Sequence, residues 1–245
     1  MLTQVTSVLS AFFSSALRGN SGSFRFILYS GLITLLLSIV LIWMIWMGAG
    51  HLGTWISNQI QWEWMQNSII FTWLISLVGI VILWMVMKYL LLILLSPLLS
   101  LVSEKTEKNM IGISSPSNMR WTYALARSIR INMRNLIKEL FATILLFIGG
   151  FIPGLNFLTI PLLFLTQAYF IGFGVMDYYF ERHLNMSDTV SMVYKHKWAA
   201  ITLGSLFVLL LLIPFLGVII APYFITVAAT KYCITAGIAK VQISE

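Results

Sequence analysis

Residues 26–49 read FILYSGLITLLLSIVLIWMIWMGA, and Ser21-Gly22-Ser23-Phe24-Arg25 stands directly before them. The twenty-four residues carry no charge. A helix needs about 20 apolar residues to cross the hydrocarbon core of a bilayer. The stretch therefore predicts a transmembrane helix over residues 24–49, with Arg25 at its mouth behind a Ser-Gly-Ser turn. A helix start at that point presents backbone N–H groups without intrahelical partners and the positive end of the helix dipole. Such a place suits an anion.

The rest of the chain fits the same solvent. Of 245 residues, 59% are hydrophobic and 9% charged, where a soluble domain carries roughly a quarter charged. The expectation is one all-α integral membrane domain over residues 1–245. The net charge of +7 follows topology rather than nucleic-acid binding. All fifteen Lys and Arg residues fall at Arg18, Arg25 or from Lys88 onward, so the 50–67 loop has none. By the positive-inside rule that loop is external, while the N-terminus and the basic segments are cytoplasmic. Six tryptophans, Trp43, Trp46, Trp55, Trp62, Trp64 and Trp73, gather near the external side as an aromatic belt. The single Cys233 excludes an intrachain disulfide and reads as a small apolar filler. His51, His183 and His196 lack metal-ligand spacing.

Residues 1–20 predict an amphipathic helix. Leu2, Val5, Leu9, Phe12, Phe13 and Ala16 fall on one side, with Thr3, Gln4, Ser7, Ser10 and Ser14 on the other. It either lies in the membrane interface or packs on the protein's own helices. Without a basic n-region it is expected to stay on the chain. A second long helix is expected over residues 68–102, with Lys88 near the inner boundary and snorkelling as its role. Residues 103–117, SEKTEKNMIGISSPS, predict a loop or a helix end followed by a turn. Then comes a basic amphipathic helix over about 118–140. Arg127, Arg130, Arg134 and Lys138 are three, four and four apart and share one face. They form either a lipid-facing surface or a positive funnel that concentrates an anion at a pore mouth.

The distal half repeats itself. Ile152-Pro153-Gly154-Leu155 with Pro161 is echoed by Ile213-Pro214-Phe215-Leu216 with Pro222. Proline at Pro153 and Pro214 ends a helix, because it lacks the N–H and crowds the preceding turn. Arms over residues 140–152, 198–213 and 215–230 are shorter than a full span. The expectation is two re-entrant hairpins, tipped by Pro153, Gly154 and Pro214, within segments 118–176 and 187–235; the competing reading is four ordinary, rather short spanning helices. Irregular backbone at membrane depth is tolerated only where protein buries it or water reaches it. Paired interrupted segments resemble the transporter pattern. Asp177 and Glu181 share a helical face between the hairpins and could pair with the arginine face or move a proton. No catalytic triad order, phosphate loop or metal cluster is present, so neither enzyme activity nor a cofactor is expected.

Ser96-Pro97-Leu98-Leu99 with Glu104 and Glu107, Phe151-Ile152-Pro153-Gly154, Asp177-Tyr178-Tyr179-Phe180, and Ile213-Pro214 with Pro222 together resemble the CysZ-type sulfate permease family, related to the eukaryotic etoposide-induced membrane proteins. The resemblance covers nearly the whole chain. It implies a bacterial inner-membrane protein with two long spanning helices, two hemi-penetrating hairpins and a homo-oligomeric assembly. It also implies uptake of sulfate or a related oxyanion for cysteine biosynthesis. In that family a Gly-x-Arg-Arg segment opens the first spanning helix and is associated with sulfate. The matching positions here are Gly22, Ser23, Phe24 and Arg25, so Phe24 replaces one arginine. The site expected to bind the anion is Gly22, Ser23 and Arg25, with Arg127, Arg130 and Arg134 holding the field. A second reading, from another class, is a non-transporting organiser that binds lipid or a partner through the basic face.

Overall fold

The computed structural model describes residues 1–17, 29, 31–40, 42, 43, 47, 69–112, 121–152, 154–213 and 216–238. Among these the chain is all-helical. Eight helices run in order: α1 Leu2–Leu17, α2 Gly31–Val40, α3 Ile69–Ile111, α4 Trp121–Gly149, α5 Asn156–Phe180, α6 Met186–Lys195, α7 Lys197–Leu211 and α8 Leu216–Thr235. Three described segments are long and apolar enough to cross a membrane: Met85–Ile111, Asn156–Phe180 and Leu216–Thr235. Gly22, Ser23, Arg25, Pro153, Pro214, His51 and most of the tryptophan belt lie outside the described residues.

Helix α3 is longer than the sequence predicts. Its 43 residues reach about 65 Å at ~1.5 Å per residue, more than twice a ~30 Å core. Residues 103–111, expected as a loop or a helix end followed by a turn, continue the helix. Their inward side is buried (Ser103, Glu107) while their charged side is open, a helical pattern that the polar composition masks. The helix closes where Gly112 N–H donates to Lys108 O at 2.9 Å. Pro97 sits inside α3 without ending it. Helix α4 likewise fuses two expected pieces, the basic helix and the first hairpin arm, into one rod of 29 residues.

Helix α5 is the hub, touching α3, α4, α6, α7 and α8. Its last thirteen residues are nearly all buried, including Phe173, Met176, Tyr178, Tyr179 and Phe180. The tightest crossing is with α7. A Cβ on Gly172 would fall 1.8 Å from the Ala200 carbonyl oxygen, and one on Gly204 would fall 1.8 Å from the Ala168 carbonyl oxygen. The reciprocity of 168 with 204 and 172 with 200 makes the crossing antiparallel. Two small-x3-small pairs let the backbones meet, which is how helices gain packing where lipid offers no hydrophobic drive.

Helix α4 ends at Gly149 and α5 begins at Asn156, with Gly154 at φ +90° in the turn between them. Only a residue without a Cβ takes that conformation cheaply. Helices α7 and α8 are separated by residues 212–215. The members of each pair pack against each other. Pro161 and Pro222 lie inside α5 and α8, and α8, at 20 residues, is longer than the arm expected over 215–230.

Helix α1 packs on α8 and α7. Its inward face is Val8, Ala11 and Ser15, whereas Leu2 and Phe13, assigned to the apolar side, are exposed. Gln4 Nε2 donates to Lys195 O at 3.2 Å and Lys231 Nζ to Ser14 Oγ at 3.2 Å, tying α1 to the distal half.

Candidate functional site

The chain holds few charges, yet several are deeply buried around the polar ends of α3, α4 and α5. An ionisable group at such depth is costly unless paired, so its partners define the site.

The first cluster joins α3 to the loop after α5. Arg182 Nη2 donates to Glu107 Oε2 at 3.1 Å and to Ser103 Oγ at 2.9 Å. Its Nη1 donates to Ser100 O at 3.1 Å and Tyr178 O at 2.9 Å. The other carboxylate oxygen of Glu107 lies 2.8 Å from His183 Nε2. The His183 ring also stacks on Tyr179 with centroids 4.5 Å apart. Thr230 of α8 donates to Ser103 Oγ at 2.8 Å, bringing a fourth segment in. The helical run Ser100, Ser103, Glu107, spaced three and four, presents these groups on one face of α3.

The second cluster holds Arg127 of α4. It donates to Asp177 Oδ1 at 3.1 Å, Thr189 Oγ1 at 2.9 Å and Leu184 O at 2.8 Å. Between the two arginines sits Glu181, hydrogen-bonded by Ser100. Burial pushes its carboxyl up to about 7, with Asp177 adding to the rise; the Ser100 bond, Arg182 and Arg127 oppose it. Loss of hydration penalises the charged form more than the neighbouring cations repay.

A third pairing lies twelve residues further along α4. Lys88 Nζ stands 2.5 Å from Glu139 Oε1, and Tyr89 O–H donates to Glu139 Oε2 at 2.6 Å. Lys88 was expected to snorkel; its side chain is instead 13% exposed and committed to a carboxylate on α4. Only the α3–α4 packing brings Glu139 within reach, which no local pattern reveals.

Of the residues singled out in the sequence, Arg127, Asp177 and Glu181 therefore lie together in the buried centre. Arg130 is exposed. Arg134 turns to a cavity of about 380 Å³ among α4, α5 and α6, its guanidinium 5.7 Å from the Phe173 ring centroid. Gly22, Ser23 and Arg25, like Pro153 and Pro214, lie outside the described residues. Glu107, Arg182 and Glu139 were not singled out as site residues. Charge inside or beside an apolar helix was the available signal. Among the described residues no group of three or more His, Cys, Asp or Glu could hold a metal ion.

Long apolar helices closed around a buried ionic centre define an integral membrane protein. Comparison with known families carries this further. The family model EI24, described as Sulfate transporter CysZ/Etoposide-induced protein 2.4, matches residues 8–222, and the chain belongs to that family. The sulfate transporter CysZ of Pectobacterium atrosepticum is 29% identical over 131 residues, 52% of this chain and 48% of that protein. The sulfate transporter CysZ of Pseudomonas paraeruginosa is 27% identical over 131 residues, 52% and 53% of the two chains. That of Pseudomonas fluorescens strain SBW25 is 27% identical over 134 residues, 53% and 52%. The matched stretch spans about half the length of these relatives.

Proposed function

We propose that the protein is a bacterial inner-membrane permease for sulfate or a related oxyanion, supplying sulfur for cysteine biosynthesis, and not an enzyme. The observation that carries this reading is the family match over residues 8–222. Gly22, Ser23 and Arg25 bind the anion where the first spanning helix begins, using free N–H groups, hydroxyls and one guanidinium. Phe24 in place of a second arginine costs on the order of 1.5–3 kcal/mol of anion affinity where that arginine would make a charged hydrogen bond. Arg127, Arg130 and Arg134 hold the field at the pore mouth. Because Asp177 neutralises Arg127 at 3.1 Å, Arg130 and Arg134 contribute most of it.

The paired helices form re-entrant hairpins. From Lys138 to Gly149 is eleven residues, and from Lys197 to Leu211 fourteen, or about 17 and 21 Å at ~1.5 Å per residue. Phe170, level with Lys138 across the shared cavity, is fourteen residues above the start of α5, and Lys231 is fifteen from the start of α8. All four arms thus extend roughly 17–23 Å beyond the last polar level, short of a ~30 Å core. Their tips expose Phe151, Ile152, Phe157, Leu212 and Leu216, side chains that hydrocarbon accommodates and water does not. The outer ends of both hairpins, the N-terminus and the basic helix are cytoplasmic, and the protein assembles as a homo-oligomer with lipid around it.

The test is radiolabelled sulfate uptake into proteoliposomes, comparing wild type with Arg25→Ala. Uptake above empty vesicles that falls in the variant is the expected result. Folded protein with no uptake would favour the second reading, a non-transporting organiser whose exposed Arg130 face binds lipid. Uptake indifferent to Arg25→Ala would keep the function and dismiss the site.

A further inference from the structure

Arg134 and Lys138, one helical turn apart on α4, face a cavity of about 380 Å³ whose other polar walls are Ser187, Ser191 and Tyr194 of α6 and Tyr169 of α5. Among the described residues neither cation makes an ion pair, and Arg134 has only the Asn135 side-chain oxygen, 3.0 Å from Nη1, as an acceptor. The nearby carboxylates are committed elsewhere. Glu139 is held by Lys88 and Tyr89, and Asp177 by Arg127. Asp188, in the first turn of α6, is not part of the cavity wall and takes a 3.5 Å contact from Asn185 Nδ2.

The four hydroxyls have no protein acceptor among the described residues. Ser187, Val190, Ser191 and Tyr194, spaced three, one and three, put one side of α6 along the cavity. The wall therefore offers two cations and four O–H donors and no carboxylate. Its only charges are positive, and the four hydroxyls, which can accept as well as donate, are able to turn their O–H groups toward an anion. Its floor is apolar, formed by Phe170 and Phe173, and it falls in the size range of small-ligand sites.

We propose that this cavity is a second anion site, one that holds a tetrahedral oxyanion group, carried either by free sulfate or by the phosphate of a membrane lipid. The fork of Arg134 takes two oxygens, Lys138 acts as a point charge, and the serine and tyrosine hydroxyls close the remaining valences. Residues 134 and 138 stand where the apolar arm of α4 begins, the kind of boundary at which basic side chains meet lipid headgroups. The choice of sulfate as one source rests on the permease reading; the site itself does not.

Binding is read on purified protein in detergent, independently of transport. One arm measures radiolabelled sulfate bound at equilibrium. The other counts phosphatidylglycerol retained in native mass spectra after reconstitution in phosphatidylglycerol and phosphatidylcholine. The variants are Arg134→Gln with Lys138→Gln, and Lys108→Gln, an exposed cation on α3, as a control outside the cavity. The expected result is that at least one ligand binds, and that the double substitution weakens it by about tenfold or more while Lys108→Gln does not. A loss confined to sulfate assigns the free anion, and a loss confined to the phospholipid assigns the headgroup. A loss of both shows that the site accepts either source. Neither ligand binding, or binding that the double variant leaves unchanged with its melting temperature intact, overturns the site. Serine-to-valine changes at 187 and 191 give a second, charge-neutral check should the double variant fold poorly: binding must fall there too, and unchanged binding counts against the proposal. Failure of sulfate uptake with the cavity still binding would refute the permease alone.

Discussion

Arg182 and Glu107 meet at 3.1 Å with side chains only 1% and 2% exposed, and their contact pins the loop after α5 to the far end of α3. Removing one member strands the other charge in a site with almost no water. Arg182→Gln is expected to destabilise the fold by about 3–5 kcal/mol. Arg182→Met combined with Glu107→Gln should cost less than the two single changes added together, because neither then leaves an unpaired ion. Denaturant titration in detergent, followed by helical signal, measures all the variants. Strict additivity would mean that the pair is not coupled.

The α5–α7 crossing makes a second prediction. Gly172→Ala or Gly204→Ala must push two backbones apart, since each new Cβ would sit 1.8 Å from a carbonyl oxygen. Gly79→Ala meets nothing within 4 Å and should change stability by less than about 1 kcal/mol. Melting temperatures of the three variants, side by side, separate the close approach from the general effect of alanine in a helix. Equal shifts in all three would contradict the crossing.

Protonation of Glu181 makes stability depend on pH. Its folded carboxyl is raised from 4.5 to about 7, so between those values the folded chain binds more proton than the unfolded one. The linked stability is fully present below about pH 4.5 and is lost as pH rises through about 7. The full swing is roughly 3 kcal/mol at ~1.36 kcal/mol per pH unit. Glu181→Gln mimics the protonated form, so its stability relative to wild type should increase from pH 5 to pH 8. A difference that does not change with pH would refute the shift.

The hairpin tips are tested by chemistry at the membrane. Leu155→Cys and Leu216→Cys place thiols at the two turns, in a background where Cys233 is buried at 0% exposure. A membrane-impermeant maleimide added outside intact cells should label neither, while a small permeant reagent should label both. Ready labelling from outside would mean that the helices span the bilayer fully.

Much of this architecture was legible in one dimension. Apolar composition and long uncharged runs report that segments meet lipid, and lipid acts on segments one at a time through hydrophobicity and backbone hydrogen bonding. Family membership was legible for the same reason, in short motifs strung along the chain. Helix limits at 111 and 149 were not. They depend on one face of residues 103–111 being buried by α5 and α8, and on α4 having a single axis to pack along. Nor could the sequence pair Lys88 with Glu139, fifty-one positions apart, or Arg182 with Glu107. A charge in an apolar chain advertises that it needs a partner; which partner it finds depends on helix packing. The Gly172–Ala200 contact is the same case in miniature. Small residues four apart permit two helices to touch, and only the tertiary fold decides which two do.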